Sequence, residues 1–474
     1  MRCLSPFVSL LVAFGLQAGD LKVSTIFSDH GVLQAGEAAV YGHAKPNAKV
    51  EISFGDKTVT TQASEAGVFK TNLKGLTPTE EGHDLIIKSG EETYTAHDVI
   101  VGEVWMGSGQ SNIDMTVAGT FDVKTAVARP RDNGLRIFLV ARIPAAQPVE
   151  DVKGSWKIAD PTTVPGFSAT SYYFAYALRQ DIKQPVGIIV SSIGGTRAEA
   201  WGPKGVYDDV PEAKGWEEKE AAAVKAREAK HDPKSPPVWS NGPHMNWNGM
   251  IYPLIGYSFK GVFWYQGESN ADQGEDYKWV LGSMIKSWHK AWGSDFPFMI
   301  VQLPRFKSKT PLPIEEGRTS WAKIRESMEW IADHVPGAMM TVNIDLGDQK
   351  DIHPKDKLAI GQRLAALALQ RVYKLHETGS APRVVEAKPQ GDAWVLTYDR
   401  PVVLRGEGKG FAVLGADGKW SFAQAKAEGK TVTVSVEGVK APTEVRYAWA
   451  NFPEVSVYAE GADALPAGPW RSSK

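Results

Sequence analysis

Apolar and polar residues alternate from about residue 20 to 98. Val50, Ile52 and Phe54 interleave with Lys49, Glu51 and Ser53, the period of two that turns one strand face to a core and the other to water. Leu85, Ile86, Ile87 and Tyr94 continue the signal, punctuated by Pro46-Asn47 and Ser89-Gly90. This stretch predicts a small β-sandwich. The pattern changes over 99–376. Unbroken apolar runs recur at 99–106, 186–190, 261–265, 298–303 and 339–344, with helical stretches at 172–182, 321–333 and 357–373. Buried apolar strands alternating with amphipathic helices predict an α/β unit, its parallel sheet covered on both faces. Chemistry in such sheets sits beyond the carboxyl ends of the strands, so functional residues are expected in the loops after these runs. Alternating strands return after Gly379, at 393–398, 431–436 and 444–449, and predict a second small β-domain over 380–474.

Two segments fall outside this scheme. Met1-Arg2, an apolar stretch over 4–16 and a small residue, Ala18, ahead of Gly19-Asp20 describe a signal peptide over 1–19, cleaved near Ala18. A secreted or periplasmic protein is expected. No later segment approaches ~18 uninterrupted apolar residues, so no membrane contact is expected once the signal is removed. Between 202 and 237 lies a charged insertion, rich in Ala, Glu and Lys over 212–230. It predicts a solvated surface helix, or a lid over the site.

Composition narrows the functional classes. The 474 residues give room for about three domains. With 53 basic and 55 acidic side chains the net charge is −2, which leaves no cationic excess to hold a nucleic acid. The single cysteine, Cys3, falls inside the signal, so neither a disulfide nor a cysteine-ligated metal is expected. The 16 Trp and 46 Gly suit β-rich cores or sugar-binding faces.

Four loops carry candidate chemistry. The first reads Gly107-Ser108-Gly109-Gln110-Ser111-Asn112-Ile113-Asp114 and offers a serine at the end of a buried strand. Ile113 stands where the second glycine of a Gly-x-Ser-x-Gly elbow belongs, and the third glycine of a dinucleotide loop is missing. The second, Ser191-Ser192-Ile193-Gly194-Gly195-Thr196-Arg197, presents adjacent glycines whose N–H groups can point inward, as an oxyanion hole requires. The third is Trp264-Tyr265-Gln266-Gly267-Glu268-Ser269-Asn270. Gln266 or Asn270 can donate to an oxyanion, and Glu268 can orient a base or bind a hydroxyl. The last is Asp345-Leu346-Gly347-Asp348-Gln349-Lys350-Asp351-Ile352-His353-Pro354. A nucleophilic serine needs a base, and the base needs an acceptor to fix its tautomer. His353 is the candidate base and Asp351 the candidate acceptor. A metal site is not expected, because no second histidine stands at ligand spacing.

Together and in this order, the four segments resemble the SGNH-hydrolase superfamily and, more narrowly, the sialate O-acetylesterase-like family of carbohydrate acetylesterases. Phe27-Ser28-Asp29-His30-Gly31-Val32-Leu33-Gln34, Asn248-Gly249-Met250-Ile251 and Arg446-Tyr447-Ala448-Trp449-Ala450-Asn451 are also family-like. The resemblance implies a flavodoxin-like three-layer domain over 99–376, between small β-domains over 20–98 and 380–474. It implies hydrolysis of acetyl esters on carbohydrates without a cofactor. Carried over, Ser111 is the nucleophile and His353 the base, then the acid. The Ser111 N–H, Gly194 or Gly195, and the Gln266–Asn270 loop form the oxyanion hole. The superfamily's acid stands three residues before the histidine, where this chain has Lys350; Asp351 is the expected acid and Glu268 the alternative. Trp201, Trp264 and Tyr265 are candidates for the sugar site or for the core. The expected substrate is an acetylated sialic acid, with acetylated xylan or pectin as the alternative. A non-catalytic carbohydrate-binding protein is the rival from another class.

Overall fold

In the computed structural model, which describes residues 21–213, 215–230, 242–307, 321–461 and 464–473, a single strand ties two sheets together. The expected signal peptide and the end of the charged insertion lie outside the described residues. Strand β1, Glu92–Gly109, pairs antiparallel with Thr79–Ser89 through its first half. Its second half pairs in parallel with two strands of the α/β unit. The expected division at 98/99 therefore falls inside one strand. The reason is visible in its burial: polar and apolar positions mix up to Asp98, and every residue from Val99 to Gly109 is buried. The junction is marked only by Asp98, whose φ of 54° lies in the left-handed region, and by a register shift against the partner strand.

The sheet continues with β2 (Asp132–Val140), β3 (Gly154–Ala159), β4 (Val186–Ser192), β5 (Gly261–Tyr265), β6 (Phe298–Val301) and β7 (Ala338–Thr341), in the order β3-β2-β4-β1-β5-β6-β7. All are parallel to β1 except β3, which runs antiparallel on the edge. Five of these strands match the apolar runs. β2 and β3 do not, because Arg136 breaks the apolar run in β2. It is nonetheless buried, its guanidinium meeting the Asp98 carbonyl and carboxylate.

Besides a short helix at Val123–Val127, the described residues form six α-helices: α1 (Ser111–Asp114), α2 (Ala169–Ile182), α3 (Trp216–Glu228), α4 (Tyr277–Trp292), α5 (Trp321–His334) and α6 (Lys357–Arg371). Phe174 of α2 lies 4.9 Å from the Phe263 ring, whereas Trp288 of α4 lies edge-on to Trp264 at 6.3 Å. Neighbouring residues of a strand point to opposite faces, so α2 and α4 cover opposite sides of β5. Ser168 caps α2, and Asp356 caps α6 by accepting from the Ala359 N–H at 3.0 Å.

Helix α3 occupies the insertion, and only one of its faces is solvated. Glu220 is buried against Arg197 Nε at 3.3 Å and Arg227 at 2.9 Å, and Glu217 meets His244 Nε2 at 3.1 Å. The C-terminal stretch forms a seven-stranded antiparallel sheet with its own core, in which Leu396, Val413, Val432 and Val445 are fully buried. Among the described residues no helix is long and apolar enough to cross a membrane.

Candidate active site

Because β1, β4 and β5 are parallel and adjacent, the loops after Gly109, Ser192 and Tyr265 leave the sheet at one edge. Gly109 makes the first turn possible. Its φ of 138° is a glycine conformation, and a Cβ there would lie 2.2 Å from the Tyr265 carbonyl. The chain then enters α1 at Ser111, which is half-buried at the mouth of the sheet.

His353 reaches this position from the irregular segment between β7 and α6. Its Nε2 lies 2.9 Å from Ser111 Oγ. Asp351 Oδ1 stands 3.5 Å from His353 Nδ1 and accepts the His353 backbone N–H at 2.9 Å. The imidazole is 39% and the carboxylate 44% exposed, so water reaches both. Such an arrangement can take the serine proton as Oγ attacks a carbonyl and return it to a leaving oxygen.

The second loop supplies donors. Gly194 and Gly195 are exposed, and neither N–H has a partner among the described residues. A Cβ on Gly194 would sit 3.3 Å from Ser111 Cβ, so this backbone borders the serine directly. The Ser111 N–H opens α1 and has no acceptor within the helix.

The third loop departs from expectation. Gln266 and Asn270 are fully buried, and their amide hydrogens are all engaged away from Ser111. Gln266 Nε2 donates to the Thr196 carbonyl at 3.1 Å and to Asn270 Oδ1 at 2.6 Å. Asn270 Nδ2 donates to Glu199 Oε2 at 2.8 Å and Gln273 Oε1 at 2.5 Å. Neither has a hydrogen left for an oxyanion. Trp201, Trp264 and Tyr265 are likewise 0% exposed and belong to the core, not to a sugar-facing wall. Trp201 packs edge-on to Trp264 at 6.0 Å and donates from Nε1 to Thr196 Oγ1 at 2.9 Å.

Glu268 does not meet the His353 ring either. Its Oε1 accepts from Asn112 Nδ2 at 2.5 Å. Its Oε2 is buried without a partner among the described residues, although the residue as a whole is only half-buried. Burial raises the carboxyl pKa above its ordinary value. Asn112 Nδ2 also donates to the Ile352 carbonyl at 3.2 Å, and its Oδ1 accepts from the Lys357 ammonium. Lys357 is fully buried 4.8 Å from the Tyr265 ring centre, and burial lowers its pKa to about 7. Asn112 thus joins the residue after the serine to the residue before the histidine.

No family model matches the chain. A solved carbohydrate acetylesterase from Xanthomonas citri is 31% identical, covers 96% of this chain and 100% of its own, and superposes with a TM-score of 0.84. The chain belongs to the sialate O-acetylesterase-like family of carbohydrate acetylesterases. It is a carboxylic ester hydrolase. The sialate O-acetylesterase of Rattus norvegicus is 27% identical over 91% of this chain and 90% of its own length. That of Homo sapiens is 27% identical over 91% and 88%.

Several residues at this esterase's site escaped the sequence reading. Asn112 and Lys357 gave no signal beyond their nearness to Ser111 and His353. Of the seven large hydrophobic side chains exposed among the described residues, two lie on loops tied to the segments that carry the serine and the histidine. Phe121, 73% exposed, donates its N–H to the Lys355 carbonyl beside His353. Ile143, 46% exposed, follows Arg142, which pairs with Asp114 of α1.

Proposed function

We propose that this esterase removes O-acetyl groups from an acidic sugar of the sialic acid type, after export from the cell by a signal peptide over 1–19. Ser111 Oγ attacks the acetyl carbonyl while His353 Nε2 takes its proton. The N–H groups of Ser111 and of Gly194 or Gly195 hold the oxyanion. His353 then protonates the departing sugar oxygen, leaving an acetyl-enzyme. Water attacks that ester, giving its proton to His353, and acetate leaves with Ser111 restored. Asp351 fixes the imidazole tautomer through Nδ1. In this reading the domain over 99–376 is a flavodoxin-like SGNH unit between two small β-domains. The sugar rests on Phe121 and Ile143 in place of the buried aromatic residues.

The 2.9 Å contact between Ser111 Oγ and His353 Nε2, beside unpartnered glycine N–H groups, carries this reading. The names of the mammalian relatives point to the substrate. The test is acetate release from acetylated sialic acid, xylan and pectin, with 4-nitrophenyl acetate as a generic ester. Ser111→Ala should lower turnover of every substrate by roughly 10⁴-fold or more while thermal stability holds. Undiminished turnover would refute the assignment, and release from xylan or pectin alone would replace the substrate.

A further inference from the structure

The rim of the site holds a cation that the reaction does not use. Arg142 lies on the irregular loop after β2. Asn248 pins that loop by donating from Nδ2 to the Ala145 and Ala146 carbonyls, each at 3.2 Å, and the Ala145 N–H donates to the Met245 carbonyl at 2.9 Å. The guanidinium has one partner among the described residues: Nη2 lies 3.1 Å from Asp114 Oδ1. Asp114 is three residues past Ser111 on α1, is 14% exposed, and accepts from the Ser192 hydroxyl through the same oxygen. A Cβ on Gly194 would stand 3.4 Å from Asp114 Oδ2 and 3.3 Å from Ser111 Cβ. Asp114 therefore borders the same glycine as the serine, and Arg142 reaches this border through Asp114.

The Arg142 side chain is 60% exposed. A half-solvated ion pair adds little to stability, so holding the fold is a poor account of the pair. Nε and Nη1 have no partner among the described residues, and Nη2 keeps one hydrogen beyond the one given to Asp114, so one two-donor face that includes Nη2 stays open. An arginine fork presents two parallel donors that match a carboxylate, and a hydroxyl accepts less well from such a fork. We propose that Arg142 selects an acidic substrate by receiving the sugar carboxylate while the acetyl ester lies against Ser111. The proposal rests on the acetylesterase reading above and assigns the residue that reads the acid. Asp114 acts as a positioning residue that keeps the fork at the rim.

The test compares O-acetylated N-acetylneuraminic acid with its methyl ester, which keeps the acetyl group and hydroxyls but lacks the negative charge. The full chain should prefer the acid by roughly tenfold in kcat/KM, mainly through KM, the scale of one charge-assisted contact. Arg142→Gln should bring the two substrates within about twofold by raising KM for the acid. A structural role would move both substrates together and keep their ratio. An unchanged ratio in the variant, or a native enzyme that favours the ester, overturns the proposal and leaves the esterase reading intact. A native enzyme that hydrolyses no acetylated sugar overturns that reading, and the proposal with it.

Discussion

Two sets of polar groups around Ser111 differ in their access to water. In one, His353 and Asp351 are 39% and 44% exposed, and their side chains meet at 3.5 Å. In the other, Asn112 and Lys357 are almost wholly buried, and Asn112 holds Glu268 at 2.5 Å. The exposed pair can exchange protons with water and meet a substrate. The buried set can do neither easily, but buried polar groups lose free energy whenever a partner is lost. It therefore holds geometry: Asn112 bonds the Ile352 carbonyl and ties the histidine loop to the serine turn. Groups that look alike in the sequence divide between reacting and holding.

The largest test of this division exchanges the two candidate acids. Asp351→Asn should lower kcat by about 10²-fold. A buried triad acid gives roughly 10⁴-fold, but Asp351 sits in water and also accepts the His353 backbone N–H at 2.9 Å. Glu268→Gln keeps an oxygen for Asn112 and should lower kcat less than about tenfold. Steady-state kinetics on 4-nitrophenyl acetate decides. The reverse order would make Glu268 the acid and erase the distinction between the two sets.

How far the sequence reveals this arrangement depends on whether the deciding partner is local. Gly261–Tyr265 is an unbroken apolar run between polar flanks and reads directly as a buried strand. Ser111 and His353 stand on loops at strand ends, so topology alone brings them to one edge. β2 hides because Arg136 interrupts its pattern, and its partner Asp98 lies 38 residues away. The same blindness affected Gln266 and Asn270. A carboxamide at a strand end can face the site or turn inward, and the inward partners, Thr196 and Glu199, belong to a different loop. Lys357 read only as the start of a helix. Its burial follows from Asn112, 245 residues earlier.

Asn270 gives the next sharpest test, because two roles predict different readouts. As an oxyanion donor, its loss would lower kcat by roughly 10²–10³-fold. As a holding residue it accepts from the Ala198 N–H at 3.0 Å and from Gln266, and donates to Glu199 and Gln273. Asn270→Ala should therefore destabilise the fold by about 2–3 kcal/mol, read from the urea midpoint. Its kcat should fall less than about tenfold in the fraction that remains folded. A stable variant with collapsed kcat would return Asn270 to the catalytic side.

Lys357 leaves catalysis aside and tests the buried set alone. Burial holds its pKa near 7 in the folded protein, against an ordinary 10.5. Between those values the unfolded chain binds a proton that the folded chain lacks. Stability then rises with pH across this window, by at most about 1.4 kcal/mol per pH unit. Below pH 7 both states are protonated and the full cost of burying the ammonium is present. Glu268 works in the opposite direction. Its raised pKa makes the folded state the better proton binder just above the ordinary carboxylate range, so its contribution falls as pH rises there. Lys357→Met keeps the apolar stem and removes the proton. Urea unfolding at pH 7.5 and 9.5 should show the native protein gaining stability relative to this variant at the higher pH. Parallel behaviour would mean that the ammonium reaches water, and the contrast between a wet and a dry set around Ser111 would no longer hold.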